Sequence, residues 1–212
     1  MKIKSWDIII KLLCFTVVLW MMNTVVVATE KKATALVKTE YPFIDTRGIA
    51  VNDQGLIYCG VHFFGVIQVY NLNGEFLYGL KIDAADGDFN FKLDQNDNLI
   101  VATVRNDKVF TINKQGEIIS EETNDNAYYE IGEKYKYAFI DKQGNLYQIR
   151  NPLLLFPHIV KINSNNTEIL ISISFITLIF LRLFPAFMTV GLLLYTSLNL
   201  KRIKEIIKSP YS

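Results

Sequence analysis

The side chains that could do chemistry are few. His62 and His158 are the two histidines of the 212-residue chain, and neither belongs to a His-Glu-x-x-His or other metal-ligand spacing. No Gly-x-Ser-x-Gly turn is present to expose a nucleophile, and no glycine-rich loop to cradle phosphate. One loop, Asp83-Ala84-Ala85-Asp86-Gly87-Asp88, sets three carboxylates around a glycine. Asp83, Asp86 and Asp88 could offer oxygens to Ca²⁺, which takes about six to eight of them. Their spacing is not that of an EF-hand, and acidic residues beside glycine also form ordinary solvated turns, so both readings stand. The later loop Glu121-Glu122-Thr123-Asn124-Asp125-Asn126 is acidic without the glycine. No cofactor is expected. Cys14 lies within an apolar run, which leaves Cys59 without a disulfide partner and reads it as a buried thiol.

A second group of residues could bind rather than react. Phe63 and Phe64 precede Gly65 at a hairpin tip. Neighbouring side chains on a strand alternate in direction, so both cannot point inward. Leu153-Leu154-Leu155-Phe156 raises the same question at the corresponding hairpin of a later unit. Together Phe63, Phe64, Leu153, Leu154, Leu155 and Phe156 are expected to form an apolar rim that meets a partner or a lipid surface.

The elements that must hold these residues come from a repeat. Val51-Asn52-Asp53-Gln54-Gly55-Leu56-Ile57-Tyr58 is matched by Leu93-Asp94-Gln95-Asn96-Asp97-Asn98-Leu99-Ile100 and by Ile140-Asp141-Lys142-Gln143-Gly144-Asn145-Leu146-Tyr147. A second hairpin follows each time, at Val69–Phe76, Thr111–Ile118 and Lys161–Ile169. The copies are 42 and 47 residues apart, close to the roughly 40–50 residues of a propeller blade. Short β-type runs divided by Asn, Asp, Gln and Gly predict four strands per unit: 48–52, 56–61, 66–71 and 75–82, then 91–94, 98–104, 109–113 and 117–120, then 137–141, 145–150, 158–163 and 167–173. Gly55, Asp97 and Gly144 occupy the turn position that needs positive φ and so set the register of each hairpin.

An apolar strand, Asp/Asn-x-x-Gly, Leu/Ile-Tyr and then Ile67-Gln68-Val69-Tyr70-Asn71-Leu72-Asn73-Gly74-Glu75-Phe76 resembles the NHL-type repeat of six-bladed β-propellers, over about Tyr41 to Ile173. The resemblance implies a mainly β fold of three four-stranded antiparallel blades, an open partial propeller. A closed ring needs about four to eight blades. Three leave bare edges and apolar faces, for which the candidate covers are a second copy of the chain, a protein partner or the membrane face, or nothing if the chain is a truncated relative of a longer one. Propeller lyases and lactonases hold a metal at the central channel through residues of several blades. With two histidines, the resemblance implies such a site here only in a closed oligomer.

The ends differ from the middle. From Glu30 to Glu168 there are 14 Lys and Arg against 19 Asp and Glu, while the remainder carries 8 against 2. An acidic centre does not fit a nucleic-acid binder. Residues 1–28 read as a transmembrane anchor or a cleaved signal peptide, and 29–40 as a tether in which Ala33 to Lys38 could add an edge strand. Residues 41–173 are the repeat domain, and 174–198 read as a transmembrane helix. The 199–212 tail carries Lys201, Arg202, Lys204 and Lys208, which predicts a cytoplasmic C-terminus.

These readings predict three blades flanked by transmembrane helices, held at the cell membrane with the β-domain extracytoplasmic. The bilayer is an expected partner, and the role is non-enzymatic binding or scaffolding. The alternatives are a lyase or hydrolase formed by oligomeric closure, or a truncated propeller product without activity of its own.

Overall fold

In five of the hairpin turns an Asn or Asp side chain folds back onto the amides two and four residues on. Asn52 Oδ1 accepts from the Gln54 and Leu56 amides at 3.1 and 2.8 Å. Asn71, Asp94, Asn113 and Asp141 repeat the arrangement two and four residues on. The residue three positions on, Gly55, Gly74, Asp97, Gly116 or Gly144, has φ between 63° and 83°. A short carboxylate or amide thus replaces a turn of backbone hydrogen bonding, which is why the chain reverses at these places. This computed structural model describes residues 35–43, 45–85, 87–151, 157–164 and 166–172, with Thr189 and Gly191.

Between the turns lie three antiparallel sheets. Sheet 1 contains Ala35–Val37 (β1), Thr46–Val51 (β2), Ile57–Val61 (β3), Val66–Tyr70 (β4) and Phe76–Lys81 (β5), in the order β1-β5-β4-β3-β2. Sheet 2 is Phe89–Leu93 (β6), Leu99–Thr103 (β7), Lys108–Ile112 (β8) and Ile118–Thr123 (β9), paired in sequence. Sheet 3 is Ala138–Ile140 (β10), Leu146–Arg150 (β11), His158–Ile162 (β12) and Thr167–Ser172 (β13), also paired in sequence. A helix, Ala127–Tyr135 (α1), stands between sheets 2 and 3 in the chain.

The sheets do not follow one another in space as they do in sequence. Every residue of β3 and β4 is buried, because Ile57-Tyr58-Cys59-Gly60-Val61 and Val66-Ile67-Gln68-Val69-Tyr70 are apolar on both faces. Sheet 1 therefore needs cover on two sides. Ile49, Val51, Ile57, Cys59, Val61 and Tyr70 pack on one side with Tyr147, Ile149, Ile159 and Ile171 of sheet 3. Ala50, Tyr58, Ile67, Val69 and Leu80 pack on the other with Phe89, Phe91, Leu99, Val101, Phe110 and Ile112 of sheet 2. The innermost strand β2 lies against β6, β10 and β11. Gly48, at φ 81°, lets the Phe91 ring lie directly on β2, since a Cβ there would meet the ring at 2.6 Å. The second face of sheet 2 is closed by α1, where Ala127 and Ile131 bury Ala102 together with Ile100 and Val109.

Gln68 is the one fully buried polar residue within the β4 strand. Its side chain accepts from the Tyr41 amide at 2.6 Å and donates to the Tyr41 carbonyl at 3.0 Å, as a neighbouring strand would. It also donates to the Tyr70 hydroxyl at 3.0 Å, and that hydroxyl donates to Glu40 at 3.1 Å. The 40–43 segment is pinned to sheet 1 in this way, and Phe43 is buried beside Tyr70.

Several expectations are corrected. The β-repeats are present as open sheets, but the first has five strands, because β1 joins β5 with Leu36 opposite Leu80. The sheets do not fan in chain order, because sheet 1 is apolar on both faces and takes sheets 2 and 3 one on each side. The two faces of sheet 1 are covered by sheets 2 and 3 and one face of sheet 2 by α1, while Ile118, Ile119, Ile140 and Ile169 of sheets 2 and 3 stay exposed. Among the described residues no helix is long and apolar enough to cross a membrane. Helix α1, at nine residues, spans about 14 Å at 1.5 Å per residue, half of the roughly 30 Å hydrocarbon core. The segments 1–28 and 174–198 read as membrane-spanning, and the 199–212 tail, lie outside the described residues apart from Thr189 and Gly191. Flanking transmembrane helices, bilayer attachment, and an extracytoplasmic domain with a cytoplasmic C-terminus find no support among the described residues.

Candidate functional site

The hairpin turns that open each sheet converge. Asn52, Asp53 and Gln54 from sheet 1, Asp94 and Asp97 from sheet 2, and Asp141 and Lys142 from sheet 3 surround a cavity of about 550 Å³. Phe139, Tyr147 and Lys161 of sheet 3 form part of its wall, with Leu72 and Leu93. That volume is in the range of small-molecule sites. Lys142 Nζ reaches Asp53 at 2.5 Å and so links sheets 3 and 1 across the rim, while Lys114 pairs with Asp97 at 3.2 Å.

The turns set the charge of this cavity. Partial burial would raise the Asp94 carboxyl, but hydrogen bonds from the Asn98 side chain and from the Asn98 and Asn96 amides outweigh it and lower its pKa. Asp141 is lowered in the same way: burial opposes, and the Asn145 side chain, the Asn145 and Gln143 amides and the Lys161 charge prevail. Both therefore stay ionised. Tyr147 and Lys161 are directly opposite one another on β11 and β12, with the ammonium 5.6 Å from the ring centroid. Burial, then the charge and hydrogen bond of Asp141, push the Tyr147 hydroxyl up to about 12. One corner of the cavity thus holds an ionised carboxylate, a protonated phenol and an ammonium.

A second polar group lies at the seam between sheets 1 and 2. Asp88 accepts from His62 Nδ1, from Arg47 Nη1 at 2.8 Å and from the Tyr128 hydroxyl at 2.9 Å. His62 Nε2 is 2.9 Å from the Arg47 carbonyl, and its ring stacks on Phe89 with centroids 4.3 Å apart. Both ring nitrogens thus face oxygen acceptors, and the side chain is 3% exposed. Burial would raise the Asp88 carboxyl, but the hydrogen bond and charge of His62, the Tyr128 hydroxyl and the Arg47 charge hold it well below the usual carboxylate range. With both ring nitrogens engaged and the ring buried, His62 is not placed to meet a substrate. The group is a fastening between β2, the loop before β6, and α1.

The residues singled out from the sequence are dispersed. Asp88 belongs to that fastening, with two basic side chains at its oxygens. Asp83 Oδ1 accepts from the Ala85 amide at 3.3 Å in a local turn, and Asp86 lies outside the described residues. Among the described residues no group of three or more His, Cys, Asp or Glu side chains is placed to hold a metal ion. Phe63 is 44% exposed while Phe64 is buried against Tyr41. Leu153, Leu154, Leu155 and Phe156 lie outside the described residues. His158 opens β12, half-buried. Cys59 is fully buried, and burial raises its thiol pKa, so it stays protonated.

Residues that the sequence did not single out are Asn52, Tyr147 and Lys161. The signal for Asn52 was present, because it begins the same turn as Asp94 and Asp141. Nothing local marks Lys161, whose position opposite Tyr147 depends on the register of β11 and β12 across a connection of variable length.

No protein-family model matches the sequence, and no curated protein does, so the resemblance to NHL-type repeats is not supported. Among solved structures the chain is similar to a streptogramin B lyase, at 13% identity over 64% of this chain and 43% of that one, with a TM-score of 0.36. It is similar to virginiamycin B lyase from Staphylococcus aureus at 18% identity, over 64% and 45%, with a TM-score of 0.35. It is also similar to a protein of unknown function from Bacteroides caccae at 15% identity, over 59% and 47%, with a TM-score of 0.32. The chain spans less than half the length of each. Likeness at this level concerns the course of the strands and carries across no site and no substrate. The expectation of a non-enzymatic membrane scaffold is not carried forward, because among the described residues no helix is long and apolar enough to anchor it.

Proposed function

We propose that the chain is an enzyme of lyase or hydrolase type, acting on a small polar molecule in the cavity ringed by the three turns. The observation that carries this reading is the corner formed by Asp141, Tyr147 and Lys161 in a cavity of about 550 Å³. Removing a proton beside a carbonyl needs a carboxylate to accept it and positive charge to stabilise the oxygen that becomes negative. Asp141 is the acceptor in this reading and Lys161 the stabilising charge, with the Tyr147 hydroxyl hydrogen-bonded to Asp141 and orienting it. All three belong to sheet 3, so no second copy is needed to bring them together.

The test is turnover. The full chain is incubated with a panel of small carbonyl-bearing molecules, and loss of substrate is followed by mass spectrometry. Asp141→Asn preserves the turn, as Asn52 and Asn71 do in theirs, and should lower the rate by a factor of about 10² or more, in the range of general acid–base catalysis. Lys161→Met should do the same with the far-ultraviolet dichroism unchanged. Turnover equal in the parent and both variants would remove the reading.

A further inference from the structure

We propose that Asn73-Gly74 is a modification site, an amide that converts spontaneously to an acid when the β4–β5 turn opens and that the folded turn holds unreacted. The Asn-Gly pair occurs once in the chain. The reaction needs only water and hydroxide. Hydroxide takes the proton of the Gly74 amide, and that nitrogen attacks the side-chain carbonyl carbon of Asn73. A bond from Gly74 N to Asn73 Cγ forms, the Cγ–Nδ2 bond breaks, and ammonia leaves. Water then opens the succinimide ring at one carbonyl or the other, which leaves an aspartate or an isoaspartate at position 73. Glycine has no side chain to shield the attacking nitrogen. The same place in the other four turns holds Gln54-Gly55, Asn96-Asp97, Gln115-Gly116 and Gln143-Gly144. A glutamine has to close a larger ring, which forms more slowly, and Asp97 sets a side chain beside its own amide. The 71–75 turn alone joins asparagine to glycine.

Asn73 is exposed, so the block is conformational and not a matter of access to water. The Gly74 amide donates to the Asn71 carbonyl at 3.0 Å, which engages the attacking nitrogen and withholds its proton. Asn71 Oδ1 accepts from the Asn73 and Glu75 amides at 2.9 and 3.0 Å, and Asn71 Nδ2 donates to Glu75 at 2.6 Å. Bringing the Gly74 nitrogen to the Asn73 side chain requires the peptide between them to rotate, and that breaks the bond to Asn71. Sheet 3 braces the turn from outside, since a Cβ on Gly74 would lie 2.0 Å from the Leu170 carbonyl oxygen of β13. An isoaspartate adds a carbon to the main chain where β13 is already in contact. The fold therefore protects the unmodified chain and rejects the isoaspartate form, and opening of the β4–β5 hairpin exposes the chain to an irreversible loss.

The experiment incubates the full chain in mildly alkaline buffer, with and without guanidinium chloride. Peptide mapping by mass spectrometry follows the amide-to-acid mass gain at Asn73, and isoaspartyl methyltransferase labels the isoaspartate form. Acid should accumulate at position 73 about tenfold or more faster in denaturant than in buffer, with Gln54, Gln115 and Gln143 unchanged in both. Asn71→Ala removes the side chain that holds the turn and leaves Asn73 and Gly74 in place, so it should bring the rate in buffer toward the rate in denaturant. When the denaturant is diluted out, the aspartate form should elute from size-exclusion chromatography with the unmodified chain, and the isoaspartate form should be missing from the folded peak. Equal rates in buffer and denaturant, or no acid in either, would overturn the inference without any variant having to fold. An unchanged rate in Asn71→Ala would overturn the part given to the turn, and isoaspartate in the folded peak would overturn the part given to β13.

Discussion

Tyr128 and Asp88, forty residues apart in the chain, meet at 2.9 Å with the hydroxyl donating to the carboxylate. That bond ties α1 to the seam between sheets 1 and 2, where Asp88 already holds Arg47 and His62. Tyr128→Phe removes the donor and leaves Asp88 with its other partners. It should cost about 1 kcal/mol, the usual net worth of one hydrogen bond. Asp88→Ala leaves Arg47 and His62 facing a vacancy and should cost about 2–3 kcal/mol after allowance for the partial exposure of the site. Urea unfolding of the two variants measures the difference.

The same carboxylate makes stability depend on pH. In the folded chain Asp88 titrates below the ordinary carboxylate value, so the fold favours its ionised form. Its contribution is complete above the ordinary value of about 3.9 and is lost as the pH falls through the lowered folded value. Asp94 and Asp141 are lowered too and act in the same direction. The stability gap between the parent chain and Asp88→Asn should be constant from about pH 7 to about pH 5 and should close in stronger acid. Denaturant midpoints across that range check it, and a gap that widens in acid would contradict the assignment.

The turn glycines separate two costs. Gly144 has φ 81° and no atom within 4 Å of where a Cβ would stand. Gly74, at φ 77°, would place its Cβ 2.0 Å from the Leu170 carbonyl oxygen. Gly144→Ala should cost about 1–2 kcal/mol, the conformational term alone. Gly74→Ala should cost more, because backbone of β13 has to move. Asp97→Gly should gain part of the same term, less the exposed pairing with Lys114. Thermal midpoints of the three variants give the ordering.

Gln68 acts as a piece of strand made from a side chain. Gln68→Leu fills the space but leaves the Tyr41 amide and carbonyl without their partner and takes away the donor to the Tyr70 hydroxyl, which keeps Glu40. A loss of about 2–3 kcal/mol is expected. Amide hydrogen exchange at Tyr41 should accelerate in the variant while that of Ile57 in the neighbouring β3 strand is little changed.

The strands and turns were readable because their causes are local. Asn52, Asp94 and Asp141 each satisfy the two amides that follow them, and a residue that accepts positive φ stands three places on. Helix α1 was missed because the stretch around Tyr128 and Tyr129 looks like another acidic loop. Ala127, Ile131 and Tyr135, four residues apart, were the available sign of one apolar helical face. The pairing of Tyr147 with Lys161 needs the register of β11 and β12, and no local rule supplies it across the connection between them.

The sequence by itself determined that the chain forms hairpins of one repeated design, since turn chemistry and apolar alternation act over a few residues. Only the tertiary structure decided which sheet lies against which. The two apolar faces of sheet 1 compete for cover with the exposed face of sheet 2, and α1 closes the latter. That sum of buried surface over the whole domain brings the turns of three sheets around one cavity, and it draws Asp88 from a loop that looked solvated into a seam with His62, Arg47 and Tyr128.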